Sequence, residues 1–225
     1  MHRLVLAAQE PCNVTGHITS PPAAIVSCHL EQPLRDEVWE RFARLRRARP
    51  GGFDVIALTR PPDEAYGEDV GRWLERARTA ALEGPFGLHT HWTSPTHARP
   101  TGGDPARKVR DEAEWMRASG LEPRFFCGGG WYSDEAVRHA VRELGLVDCT
   151  GREGGPATGV LPTTHSLGQL ARAVLGPLPG YVHAYFHDYD LLDPVRRNVL
   201  AVSLRVLGQR RSQLDLLAFD AKPGP

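Results

Sequence analysis

The segment His89-Thr90-His91-Trp92-Thr93-Ser94-Pro95-Thr96-His97 carries three imidazoles in close succession. On an extended chain, residues two apart project to the same side, so His89 and His91 face one space together. With His97 in the following loop and an acid from a neighbouring strand, such a set suits zinc or a similar divalent ion. A lone loop histidine more often faces solvent or caps backbone groups, so the expectation rests on the cluster. A second group lies at His187-Asp188-Tyr189-Asp190, after the alternating run Val182-His183-Ala184-Tyr185-Phe186. His187 beside two acids is placed to act as a general acid near neutral pH. For Asp190 and Asp193 the simpler role is to cap or pair locally ahead of the helix at Pro194. Arg124 offers a rigid fork that could orient a carboxylate. The run Gly128-Gly129-Gly130 permits close backbone approach to a ligand. Trp131 and Tyr132 after it could form a platform for a sugar ring, with a core or lid role for Trp131 as the competing reading.

These residues fall at the ends of elements that alternate along the chain. Strands are expected at Pro22–Cys28, Phe53–Leu58, Phe86–His89, Arg124–Cys127, Leu146–Cys149, Tyr181–His187 and Leu214–Phe219. Helices are expected between them: Leu34–Arg49, Asp69–Leu82, Ala106–Ser119 (stopped by Gly120), Ser133–Leu144 (capped by Ser133), Ser166–Val174 (capped by Ser166) and Pro194–Arg210. Strand–helix alternation implies parallel strands covered by helices. No G-x-G-x-x-G or P-loop pattern opens a helix, which argues against nucleotide binding on an open sheet and favours a barrel. In a barrel the residues just after each strand converge on one face. Those residues include His29 and Glu31, Arg60, Asp63 and Glu64, and the clusters named above.

Composition sets the outer limits. The chain has 225 residues, with 27 Lys+Arg against 27 Asp+Glu, and this zero net charge argues against a nucleic-acid partner. The Arg-rich stretch from Arg44 to Arg49 reads as a solvated helix face. Cys12, Cys28, Cys127 and Cys149 show no C-x-x-C spacing and are expected to be buried thiols of a reducing compartment. The N-terminal apolar run around Leu4–Ala8 is too short for a signal peptide or a membrane span, so a cytoplasmic protein without a membrane partner is expected. One domain is expected over residues 1–225, with 1–21 as an arm or extra strand.

Taken together, the strand-end motifs resemble the polysaccharide deacetylase superfamily (NodB-homology, carbohydrate esterase family 4-like) from about Ala24 to Phe219. GLHTHWTSPTH resembles its histidine motif, PRFFCGGGWY its Arg-x-Pro-Tyr-Gly motif, LVDCT a later Asp-bearing strand, and AYFHDYD the motif whose histidine is the general acid. The resemblance implies an α/β fold, a distorted (β/α)7 barrel, and hydrolysis of a C–N bond in an N-acylated sugar or related small amide, usually with a bound divalent metal. The chain departs from the pattern in places. The family's first motif is an Asp-Asp pair, and here the strand end reads Ser27-Cys28-His29-Leu30-Glu31. Thr93, not His, stands four residues after His89.

The resemblance thus implies a metal-dependent hydrolase. Glu31, His89 and His91 or His97 would hold the ion, taken to be Zn2+; Glu31 or His29 would act as base and His187 as acid. Arg124 would orient an acidic partner, and Gly129, Trp131 and Tyr132 would bind a small-molecule or saccharide substrate. Two other readings remain open: a degenerate barrel that binds a saccharide or small polar ligand without turnover, and an amide hydrolase that needs no metal.

Overall fold

The computed structural model describes residues 22–216. Its strands are β1 (Ala23–Leu30), β2 (Val55–Thr59), β3 (Phe86–Thr90), β4 (Phe125–Gly128), β5 (Val147–Asp148), β6 (His165–Ser166), β7 (Tyr181–His187) and β8 (Ser212–Gln213). The helices are α1 (Asp36–Ala48), α2 (Val70–Glu83), α3 (Pro105–Ala118), α4 (Glu135–Glu143), α5 (Leu167–Ala173) and α6 (Pro194–Arg210). Every strand pair is parallel, in the order β5-β4-β3-β2-β1-β7-β6, with β8 beside β1. The sheet curls into a distorted (β/α)7 barrel of the NodB type, as expected. Its ends approach through residues 159–164, which bond to Asp148 of β5 and to His183 of β7.

Strand alternation builds two apolar layers. Ala24, Val26, Cys28 and Leu30 of β1 face the helices, joining Val38, Phe42, Trp73, Val109, Met116 and Leu204 in the larger core. Ile25, Ile56, Leu58, Phe125, Val147, Cys149 and Leu161 fill the floor of the barrel. Each fully buried Val, Leu, Ile, Phe or Met of these layers contributes about 1.5–3 kcal/mol. Side-chain acceptors cap five of the helices: Asp69, Asp104, Asp134, Ser166 and Asp193 each receive a backbone N–H of the first turn.

Some boundaries differ from the sequence expectation. β1 runs to Leu30, so His29 sits inside the strand and not after it. Asp134, rather than Ser133, caps α4, because its carboxylate meets the Val137 N–H at 2.8 Å. The short β6 had no separate signal, since it is two residues long and merges into the cap of α5. The last pairing is Ser212–Gln213, although Leu214 still donates to Ala24 O. The arm expected at 1–21, Cys12 within it, and the end of the last expected strand lie outside the described residues. Cys28, Cys127 and Cys149 are buried thiols, as expected. No helix among the described residues is long and apolar enough to cross a membrane.

Candidate metal centre

Parallel register brings the chemistry together. His29 of β1 lies opposite His187 of β7, and His89 of β3 lies opposite Cys127 of β4. Alternation turns Ser27 and His29, His183, Tyr185 and His187 inward, and the same periodicity carries Glu31 and His91 just past the ends of β1 and β3. Below the cluster, Ser27 and His183 satisfy each other: the Ser27 hydroxyl is 2.9 Å from His183 Nε2, while His183 Nδ1 donates to Leu161 O. Burial pushes His183 down to about 4, so it is a neutral, internally bonded support.

Above it, three ligand-type atoms converge. Glu31 Oε1 is 3.5 Å from both His89 Nε2 and His91 Nε2, and 3.8 Å from His187 Nε2. His89 Nδ1 is 2.9 Å from Cys127 O, and His91 Nδ1 is 2.9 Å from Pro95 O. Both partners are carbonyls, which only accept, so each Nδ1 carries the proton and each Nε2 turns a lone pair toward Glu31. With both imidazoles neutral, two lone pairs and a carboxylate oxygen face one point, and His91 Nε2 is buried without a hydrogen-bond partner. A cation satisfies this arrangement. Tetrahedral bonds of about 2.0–2.2 Å place neighbouring N and O ligands about 3.4 Å apart, close to the separations here. The carbonyls hold the rings as outer partners of a metal's histidines usually do.

The charge states agree with this role. Burial alone would raise Glu31, but positive charge on the His89 and His91 side, carried by the imidazoles when they are protonated, holds its carboxyl well below the usual carboxylate range, and a cation between them would act the same way. Burial lowers His89, His29 and His187, which favours their neutral, metal-binding forms. For His29 the neighbouring His89 and His187 push the same way.

Other contacts hold the pieces in place. Asp188 Oδ2 accepts the Gln32 N–H at 2.6 Å, tying down the loop that carries Glu31. Thr90, between His89 and His91 in the chain, donates to Glu112 of α3 at 2.7 Å. A Cβ on Gly129 would lie 2.6 Å from Thr90 O and 2.9 Å from Ala98 O, so only glycine lets this loop press against the histidine strand. Trp131 takes a left-handed backbone (φ 61°), a conformation costing about 1–3 kcal/mol in a non-glycine residue. It is held there by Tyr185, 4.8 Å away edge-on, and by the Arg152 guanidinium, 4.9 Å above its ring.

The structure therefore gathers Glu31, His89, His91, His29 and His187, with Trp131 as a wall beside His29 at 5.5 Å. It does not bring the other three side chains to this point. Arg124 precedes β4 and sits at the opposite end of the barrel, lining a hollow with Arg49, Phe86 and Leu214. His97 is exposed and takes part in a backbone bridge with Ser94, and among the described residues it belongs to no metal-type group. The Tyr132 hydroxyl donates to Asp134 at 2.7 Å and its ring packs edge-on against Trp92. Gly129 serves by close packing beneath the loop. Cys127, Tyr185 and Arg152 were not singled out from sequence as site residues. Alternation from Phe125 and from His183 would have turned the first two inward, whereas nothing local marks Arg152.

No protein-family model matches the sequence, and no curated protein matches it. Solved structures do match. A family 4 carbohydrate esterase pseudoenzyme from Bacillus anthracis superposes with a TM-score of 0.60 at 11% identity, over 89% of this chain and 66% of that one. A mutant of that pseudoenzyme with restored enzymatic activity matches with the same TM-score, over 68% of its length. A family 4 carbohydrate esterase from Streptomyces lividans, in complex with acetate, matches with a TM-score of 0.55 at 11% identity, over 89% of this chain and 97% of that one. A polysaccharide deacetylase from Bacillus cereus gives a TM-score of 0.52 at 14% identity, over 88% and 94%. At these identities the likeness is one of fold.

Proposed function

We propose that this chain, which carries the barrel of the family 4 polysaccharide deacetylases, is a metal-dependent hydrolase that removes an acyl group from an N-acylated sugar or related small amide. The observation that carries this reading is the meeting of Glu31 Oε1 with two outward lone pairs, at His89 Nε2 and His91 Nε2, each 3.5 Å away. Glu31, His89 and His91 would hold the ion, with Zn2+ suited to two imidazoles and a carboxylate. When bound, such an ion polarises the acyl carbonyl and lowers the pKa of water to about 7.

The remaining residues supply orientation and proton movement. His187 is the most open histidine of the cluster, its side chain 25% exposed, and Asp190 accepts its backbone N–H at 3.0 Å. Neutral at rest, it takes the proton from the attacking water and returns it to the leaving amine as the C–N bond breaks. His29 is a poorer base than its sequence position suggests, because it is 3% exposed and its Nε2 faces the Cys127 thiol. Arg124, at the far end of β4, has no part in this reading. Trp131 and Tyr185 offer the faces against which a sugar ring can pack. A polar groove of about 460 Å³ leads away from His91 between Arg60, Lys108 and Glu112.

The test is metal binding with turnover. At free zinc about 100 times its Kd, the ion adds about 2.7 kcal/mol of stability, or about 5–11 °C in Tm. Glu31→Ala and His91→Ala should abolish most of this rise, and His187→Ala should keep it while losing deacylation of N-acetylated amino-sugar oligomers. A protein that hydrolyses these substrates equally well after exhaustive chelation refutes the metal-dependent reading. The enclosure of His29 favours one alternative, a barrel that binds saccharides without turnover. It predicts ligand stabilisation and metal binding with no product released.

A further inference from the structure

Beneath the proposed centre, a second set of ligand-type atoms meets without any carboxylate. His29, His89 and Cys127 each offer one atom within 4.8 Å of the others. Cys127 Sγ is 3.6 Å from His29 Nε2. Tetrahedral zinc, with Zn–S of about 2.3 Å and Zn–N of about 2.0–2.1 Å, separates its sulfur and nitrogen ligands by about 3.6 Å. All three residues are nearly inaccessible, at 3%, 2% and 0% exposure. The orientation is also prepared: His89 Nδ1 donates to the carbonyl of Cys127 itself, so the ring and the thiol are fixed by one peptide unit.

We infer that the barrel has a deeper, thiolate-containing metal position formed by His29, His89 and Cys127, which takes a strongly thiophilic ion such as Cd2+ in competition with the upper position at Glu31 and His91. The competition follows because both positions draw on His89, whose second nitrogen is already committed to Cys127 O. Sulfur selects between them. Oxygen-seeking ions such as Mn2+ favour the carboxylate end, and soft ions favour the thiolate end. An ion in the lower position draws His89 away from Glu31, so thiophilic metals should inhibit where harder ones activate. Binding is a simple exchange in which the metal–sulfur bond forms as the thiol proton leaves to solvent. The competition clause rests on the function proposed above; the lower position itself does not.

The experiment uses the full chain, stripped by chelator and kept reduced, titrated with Cd2+ while the thiolate-to-cadmium absorption in the near ultraviolet is recorded. The expected result is one band per chain, with cadmium affinity falling at least about tenfold in both Cys127→Ser and His29→Ala. Cys28→Ser and Cys149→Ser should keep the band, as should His91→Ala, which removes only the upper position. A wild-type protein that binds Cd2+ without the band, or a band unchanged in Cys127→Ser, overturns the inference and leaves a thiol-to-imidazole hydrogen bond in its place. Should Cys127→Ser not fold, His29→Ala decides by the same readout. Cobalt binding separates the two positions: cobalt affinity indifferent to His91→Ala sinks the upper centre alone, while the cadmium band tests the lower one.

Discussion

Replacing Asp188 by Asn isolates the electrostatic cost of the loop that carries Glu31. Asp188 is fully buried, and burial, with the Glu31 carboxylate adding to it, raises its pKa to about 7 even though the Gln32 N–H bond pulls the other way. An unfolded aspartate ionises near its model value of 3.8. Between those values the folded chain holds a proton that the unfolded chain has released, so stability falls as pH rises through that window. Each unit is about 1.4 kcal/mol, which gives about 4 kcal/mol in full at about pH 8 and about 3 kcal/mol of it lost above about pH 5. Asn keeps an oxygen for the Gln32 N–H and cannot ionise. Chelator-treated Asp188→Asn should therefore gain on wild type as pH rises from about 5 to 8, by up to about 6–12 °C in Tm. Paired thermal melts across that range provide the assay. A difference between the two proteins that stays flat with pH would mean Asp188 ionises in the fold without penalty, and the reasoning fails.

Glu112 is raised by burial to about 7, so Glu112→Gln should show the same sign, gaining on wild type as pH rises from about 4.5 to 7 and levelling off above that in the same melts. Gly129→Ala forces a methyl against two backbone oxygens, and overpacking of this kind costs about 1–3 kcal/mol, seen as a lower Tm together with weaker zinc binding because Thr90 is displaced. Arg152→Ala removes an exposed cation–π contact, about 0.5–1 kcal/mol, and should red-shift the Trp131 fluorescence with little change in metal affinity. Loss of zinc binding in that variant would contradict the separation of wall from ligands.

Much of this architecture could be read before the fold was known, for reasons visible in single elements. Tyr181–His187 and Pro194–Arg210 have the expected bounds, because strict alternation defines the one and a proline first turn opens the other. That His89 and His91 face one space followed from two-residue spacing on a strand. What failed to carry over was depth along the barrel axis. Arg124 precedes the first residue of β4, so the whole length of the strand separates it from Gly128 at the other rim. His97 shares a loop with His91, yet the bridge from Ser94 to His97 turns it outward. Cys127 looked like filler because a thiol has no periodic signature of its own, and only the pairing of β3 with β4 sets it level with His89. His29 was placed after β1, and further pairing, through Leu30 with β2 and through His29 with β7, moved it into the wall.

The left-handed turn at Trp131 divides the molecule into parts that can change independently. His89 and Cys127 lie in parallel hydrogen-bond ladders, with Glu31 and His91 following directly on them, and a shift of register would displace every neighbour at once. Trp131 and Arg152 come instead from two separate connections, after β4 and after β5, and touch each other only through ring and guanidinium faces. Substitutions at Trp131 and Arg152 themselves can reshape what the cavity admits while the carboxylate–imidazole geometry beneath is left untouched. A lineage built on this barrel could thus acquire new substrates by exchanging its roof, and its chemistry would drift only when the floor did.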